Sequence, residues 1–99
     1  MKVRWTEPAL TQWEESIDYI EAENAAAAQR IEARVIDTIE MLAVHPYAGR
    51  VGRIAGTREF AVPGSAFVIA YEANQLEGIL WVFAVYDGRR RWPKALPRG

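Results

Sequence analysis

The chain has 99 residues, of which 51% are hydrophobic and 25% are charged, and its formal net charge is −1. This composition is typical of one folded domain, which we expect to span residues 1–99. Because there are no cysteines and one histidine, disulfides are excluded, and we expect neither a metal site nor a cofactor. No apolar run reaches the ~20 residues of a membrane span, and the N-terminus lacks a signal peptide's apolar core. We therefore expect a cytoplasmic protein without membrane contact.

The charges are divided unevenly along the chain. Residues 1–44 carry four basic side chains against nine acidic ones, whereas residues 45–99 carry eight basic against four acidic. Two explanations are open. The glutamates of the helices and the arginines at the strand ends are simply solvent-exposed charges, or the protein has an acidic surface opposite a basic, functional one. The net charge itself argues against a general nucleic-acid binder.

The first half of the chain predicts a strand and two helices. Residues 3–5 form a short edge or second strand, and Thr6 is a helix N-cap with Pro8 in the first turn. Asn24 is the next cap and begins a second helix over residues 25–44. Apolar residues recur at spacings of three and four, which places them on one face of each helix. We expect these stripes to be core: they are Leu10, Trp13, Ile17 and Ile20 in the first helix, and Ala28, Ile31, Val35, Ile39 and Leu42 in the second.

The second half predicts three strands. The proline at position 46 ends the second helix, and a glycine- and arginine-rich connection follows over residues 47–56. The strands cover residues 57–62, 66–72 and 79–86. Their short connections make them antiparallel, and the apolar second and third strands belong in the centre of the sheet. The fold prediction is α+β, in the order β-α-α-β-β-β, with a helical hairpin packed on a small antiparallel sheet.

This layout resembles the ParE/RelE toxin superfamily of bacterial type II toxin–antitoxin modules, particularly its ParE-like, plasmid-stabilisation branch. The resemblance runs from residue 3 to residue 93. It is carried by the alanine-rich start of the second helix, His45-Pro46 through Gly49-Arg50, Gly56-Thr57-Arg58-Glu59, the strand ending at Tyr71, and Val85 through Gly88 with Arg90, Trp92 and Pro93.

The resemblance implies a toxin that is neutralised by a cognate antitoxin, whose C-terminal segment is disordered when free. ParE proteins poison DNA gyrase, whereas other relatives cleave messenger RNA on the ribosome. A third alternative is a protein without toxicity that serves as an antitoxin-binding module.

The residues present favour a ParE-like toxin over a ribonuclease. RNA cleavage needs proton transfer and stabilisation of a charged phosphorane. Val68 stands where the RNA-cleaving relatives often have arginine, and Asp87 stands where histidine is frequent. His45 lies in a helix-ending turn, and we expect Tyr71 to be a core residue with its hydroxyl satisfied locally. Under the ribonuclease alternative, the candidate catalytic residues are Arg58, Tyr86 and Arg90.

The candidate residues for binding the target or the antitoxin are mostly basic. Consecutive arginines repel one another unless an acidic partner neutralises them, so we expect such a partner to bind there. The candidate residues are Arg50, Arg53, Arg58, Asp87, Arg89, Arg90, Arg91 and Trp92. Two of them have structural alternatives. Arg58 and the adjacent Glu59 are equally typical of a salt bridge between neighbouring strands, and Trp92 with Pro93 is typical of a packing anchor. Residues 94–99 form a basic tail that we expect to be loose.

Overall fold

The computed structural model describes residues 1–89, and its element order confirms the predicted α+β fold. A strand precedes two helices, and four strands follow them. The elements are β1 (Lys2–Trp5), α1 (Glu7–Glu23), α2 (Ala25–Val44), β2 (Arg50–Val51), β3 (Arg58–Ala61), β4 (Phe67–Asn74) and β5 (Ile79–Asp87).

Both helices begin at the predicted caps. The Thr6 hydroxyl accepts a hydrogen bond from the Ala9 amide at 3.2 Å, and the Asn24 side chain accepts one from the Ala27 amide at 3.0 Å. These oxygens satisfy amides that have no partner within their own helix. The backbone amide of Asn24 also donates to the Ile20 carbonyl at 2.7 Å, which closes α1. Within residues 1–89, neither helix is long and apolar enough to cross a membrane.

The sheet has five strands in the order β1-β5-β4-β3-β2. The β3-β4-β5 meander is antiparallel as predicted, but β1 runs parallel to β5 and makes the sheet mixed. A parallel partner is possible because the long helical hairpin carries the chain back across the sheet. β2 lies in the segment predicted to be a connection, and it has only two residues opposite β3. No alternation can mark so short a strand in the sequence.

The helices cover one face of the sheet and bury the core against it. Trp13 of α1 packs edge-on against Phe67 of β4, with ring centroids 5.2 Å apart. A bulge shifts the β4–β5 register between Ala70 and Tyr71, so that Phe83 is the extra residue of β5. The fully buried members of the core include Val35, Leu42, Ile69, Tyr71, Leu80 and Val82.

The prediction that Leu10 belongs to the core is wrong. Leu10 is 45% exposed, whereas the neighbouring Ala9 is completely buried. Leu10 lies one residue further round the helix, at the border of the face that Ala9, Trp13 and Ile17 bury. The small Ala9 side chain lets α1 approach the sheet closely, which leaves the longer Leu10 at the margin.

Candidate functional site

The strand register decides which side chains share a face of the sheet. Arg58 lies opposite Tyr71, and Glu59 lies opposite Ala70. Residues directly opposite each other point to the same face, and successive residues alternate. Arg58 and Tyr71 therefore point towards the helices, whereas Glu59 and Ala70 point to the other side, which we call the outer face.

A buried carboxylate organises one part of the outer face. Glu59 is only 2% exposed, and a charge that is removed from water needs partners. Its Oε1 accepts a hydrogen bond from Arg50 Nη2 at 2.8 Å, and its Oε2 accepts one from the Arg53 backbone amide at 2.9 Å. Arg53 Nε lies 3.9 Å from the same Oε2. We call Arg50, Arg53, Glu59 and the nearby Tyr86 the Glu59 cluster.

Tyr86 stays protonated within this cluster. Burial raises the pKa of its phenol to about 12, and the negative charge of Glu59 adds to the rise, against the opposing charges of Arg53 and Arg50. A phenol with this pKa is neutral at physiological pH. Tyr86 can therefore donate a proton or a hydrogen bond there, but it is poorly suited to act as a base.

The loop of residues 52–56 folds back over the outer face. The amide of Gly52 donates to the Thr57 carbonyl at 2.8 Å, and the amide of Thr57 donates to the Ile54 carbonyl at 3.0 Å. Ile54 packs with Tyr86 against a small cluster formed by Ala70 and Ala84. Arg53 is thus carried on a loop that is fixed by hydrogen bonds, by packing and by Glu59.

Arg58 and Tyr71 hold a turn on the other side of the sheet. Arg58 Nη1 donates to the Gly49 carbonyl at 2.8 Å, and its guanidinium lies 4.9 Å from the centre of the Tyr47 ring. The fully buried Tyr71 hydroxyl donates to the Pro46 carbonyl at 2.8 Å and accepts from the Gly49 amide at 2.9 Å. The prediction for Tyr71 is confirmed. Burial raises the pKa of its phenol, although the Gly49 amide and the Arg58 charge oppose that rise.

Glu59 is paired with a different arginine from the one that the sequence suggested. Its carboxylate binds Arg50 from the adjacent strand β2, whereas Arg58 reaches the Gly49 carbonyl. Adjacent residues of a strand point to opposite faces, so Arg58 is directed away from its neighbour's carboxylate.

Asp87 and Arg89 form a pair where β5 ends. Asp87 Oδ1 accepts from the Arg89 amide at 2.9 Å and from Arg89 Nε at 3.1 Å, while Oδ2 accepts from Nη2 at 2.8 Å. The hydrogen bonds with Asp87 raise the pKa of the Arg89 guanidinium, whose side chain remains 79% exposed. Three other predicted binding residues, Arg90, Arg91 and Trp92, lie outside the described residues.

A groove of about 900 Å³ opens between α1 and the ends of β4 and β5. Apolar side chains from both helices and both strands line it: Ile20, Ile31, Phe67 and Val85. The rest of the lining comprises polar side chains of α1, the Asp87–Arg89 pair, Ala66, Tyr86 of the Glu59 cluster, and Tyr19, which is 67% exposed. The shape and the mixed lining suit an amphipathic segment better than a small polar molecule.

The structure does not bring the candidate catalytic residues Arg58 and Tyr86 together, because they lie on opposite faces of the sheet. The sequence also gave no indication of the groove or of the central place of Glu59 among Arg50 and Arg53. Within the described part of the chain, no group of three or more His, Asp or Glu side chains is arranged to hold a metal ion.

Comparisons with known proteins agree with this architecture. The family model for the ParE toxin of the type II toxin–antitoxin system parDE matches residues 3–92. A Sinorhizobium fredii (strain NBRC 101917 / NGR234) protein named "Putative toxin Y4kP" is 35% identical over 95 residues, which are 96% of each chain. A chain of the chromosomal ParDE TA system from P. aeruginosa has the same fold, with a TM-score of 0.74 at 14% identity. That match covers 88% of this chain and 95% of the other.

Proposed function

The chain belongs to the ParE toxin family of type II toxin–antitoxin systems, and from that premise we propose that it arrests growth by inhibiting DNA gyrase until a cognate antitoxin neutralises it. The alternative within the superfamily is ribosome-dependent cleavage of messenger RNA. The two differ in what the protein must supply, because an inhibitor needs a binding surface, whereas a ribonuclease needs groups that move protons.

The observation that supports gyrase over RNA cleavage is the separation of the groups that a ribonuclease would use. Arg58 is directed towards the helices and bonded to the Gly49 carbonyl, whereas Tyr86 faces the outer side. The Tyr71 hydroxyl makes hydrogen bonds to two backbone groups. Val68, where the RNA-cleaving relatives often carry arginine, is 8% exposed. These four residues do not form a proton-transfer pair on a common surface.

The groove supports an antitoxin as partner. Its floor of Ile20, Ile31, Phe67 and Val85 offers apolar surface to one side of an amphipathic segment. Its rim carries the carboxylate of Glu15 and the exposed guanidinium of Arg89. A segment with an apolar stripe, a basic residue facing Glu15 and an acidic residue facing Arg89 would complement both. We place the antitoxin's C-terminal segment in this groove.

Parallel assays of DNA and RNA test the target. Purified toxin is added to gyrase in a supercoiling assay, and messenger RNA is followed for minutes after induction in cells that lack antitoxin. We expect loss of supercoiling or accumulation of cleaved DNA while transcripts remain intact. Rapid transcript cleavage with unaffected gyrase would replace the proposal by the ribonuclease alternative. Absence of growth arrest would leave only an antitoxin-binding module.

A pair of arginine substitutions tests the antitoxin groove. Ser16 lies in the groove lining, so Ser16→Arg would place a bulky charge against the incoming segment. Ala33→Arg on the exposed surface of α2 is the matched control, with the same added side chain outside the groove. We expect Ser16→Arg to weaken antitoxin binding at least about tenfold, and Ala33→Arg to leave it unchanged. Equal affinities of the two variants would exclude the groove as the antitoxin site.

A further inference from the structure

The outer face carries a buried carboxylate that stability alone does not account for. Glu59 lies opposite Ala70 of β4 and beside Arg50 of β2, and its side chain is 1% exposed. Replacement of a buried ion pair by apolar side chains of similar volume is often neutral or stabilising. An apolar pair at positions 50 and 59 would therefore satisfy the packing of the sheet, and the charge requires another explanation.

The contacts of Glu59 supply that explanation, because they fix two arginines at once. One carboxylate oxygen binds the Arg50 guanidinium, and the other binds the Arg53 backbone amide. Arg50 is the first residue of β2, and Arg53 lies in the loop of residues 52–56, which packs back through Ile54. A single strand residue thus sets the position of a basic loop on a rigid sheet.

Both arginine side chains nevertheless remain accessible. Arg50 is 61% exposed and Arg53 is 55% exposed, although Glu59 between them is buried. A side chain held in place before binding loses less conformational entropy when a partner arrives. The planar guanidinium also matches a carboxylate through two parallel hydrogen bonds. Arg50 and Arg53 thus form a preorganised surface that can bind anionic groups.

We propose that Glu59 is a positioning residue of the target-binding surface, where it holds Arg50 and Arg53 ready to contact carboxylates on an acidic protein surface of the toxin's target. The net charge of −1 favours an acidic protein surface over nucleic-acid phosphates. This inference rests on the proposed toxin function, but it requires only that a protein target exists. It also distinguishes this surface from the antitoxin groove, which Arg50, Arg53 and Glu59 do not line, although Tyr86 of the Glu59 cluster does.

The test compares purified variants for binding to gyrase without DNA, for antitoxin binding and for thermal unfolding. Glu59→Gln removes the charge but keeps the shape, Arg50→Ala removes a contact, and Arg30→Ala on α2 is the control for lost positive charge. We expect Glu59→Gln and Arg50→Ala each to weaken gyrase binding at least about tenfold, while antitoxin affinity stays within about twofold. Arg30→Ala should leave gyrase and antitoxin binding unchanged.

A double-mutant cycle distinguishes positioning from a general structural role. If Glu59 acts through the two arginines, Glu59→Gln has no further effect on gyrase binding in an Arg50→Ala/Arg53→Ala background. An additive loss, or a parallel loss of antitoxin affinity and melting temperature, would overturn the positioning role. If Glu59→Gln does not fold, unchanged gyrase binding by Arg50→Ala would overturn it. Binding that appears only with DNA present would overturn the acidic protein surface in favour of phosphates.

Growth arrest separates failure of this inference from failure of the gyrase proposal. If the unsubstituted toxin arrests growth without binding gyrase, gyrase is the wrong target, and the same variants are scored for arrest. Loss of arrest in Glu59→Gln and Arg50→Ala, with arrest retained in Arg30→Ala, would then support the positioning role. Undiminished arrest in both outer-face variants would refute it. A wild-type chain that causes no arrest would overturn both proposals.

Discussion

Substitution of Tyr71 by phenylalanine should destabilise the protein by removing one oxygen atom. The hydroxyl donates to the Pro46 carbonyl and accepts from the Gly49 amide, and the ring itself is completely buried. Phenylalanine keeps the ring contacts but leaves a buried amide and a partly buried carbonyl without this partner. A buried unsatisfied group costs about 1–3 kcal/mol, and a part-buried carbonyl regains some hydration, so we expect a total loss of about 2–4 kcal/mol.

Urea unfolding monitored by circular dichroism measures this loss, and Tyr47→Phe provides the matched control. Tyr47 is 55% exposed and its hydroxyl meets the exposed Gln75 side chain, so its removal should change the free energy of unfolding by no more than about 0.5 kcal/mol. Equal effects of the two substitutions would refute the turn-holding role of Tyr71. Under conditions where it remains folded, the Tyr71→Phe toxin should still arrest growth, because both hydrogen bonds of the hydroxyl go to the backbone of the turn.

Three further predictions follow from local geometry. Gly49→Ala would place a Cβ 2.6 Å from the Tyr71 hydroxyl and 2.9 Å from the Glu59 carbonyl, and we expect denaturant unfolding to show a loss of about 1–3 kcal/mol. Asn24→Ala removes the cap of α2 and should cost about 1 kcal/mol in the same assay. The pKa of Tyr86 is raised from an ordinary value near 10 to about 12 in the folded protein. This shift stabilises the fold below about pH 10, and the contribution is lost as the pH rises to about 12. Thermal melts of Tyr86→Phe should therefore decline less over that range than those of the unsubstituted protein.

The helical hairpin was predictable because its signals are local. Thr6 and Asn24 mark both helix starts through side chains that accept from their own first turns. The apolar spacing then identifies Trp13, Ile17 and Val35 as core. The prediction failed for Leu10, since the spacing alone does not show which side of the stripe packs against the sheet.

The site was harder to predict because its contacts join distant residues. Glu59 contacts Arg50 because the two-residue strand β2 pairs with β3. β2 is too short for an alternation of apolar and polar residues to predict it. The adjacent Arg58 was the natural partner by position, but alternation across the sheet sends it to the opposite face. The groove combines Ser16 and Ile31 of the hairpin with Val85 of β5, a combination that exists only after the helices have packed on the sheet.

The end of β5 connects the two proposed surfaces. Val85 and Asp87 line the groove, while Ala84 packs on the outer face beside Ile54 and Tyr86. Consecutive residues of one strand therefore face the proposed antitoxin groove on one side and the Glu59 cluster on the other, and Tyr86 belongs to both. An antitoxin segment seated in the groove could oppose target binding by shifting this strand, without covering Arg50 or Arg53. Neutralisation of that kind is a coupling between sites, so it must be reciprocal: bound target would weaken antitoxin binding by the same factor.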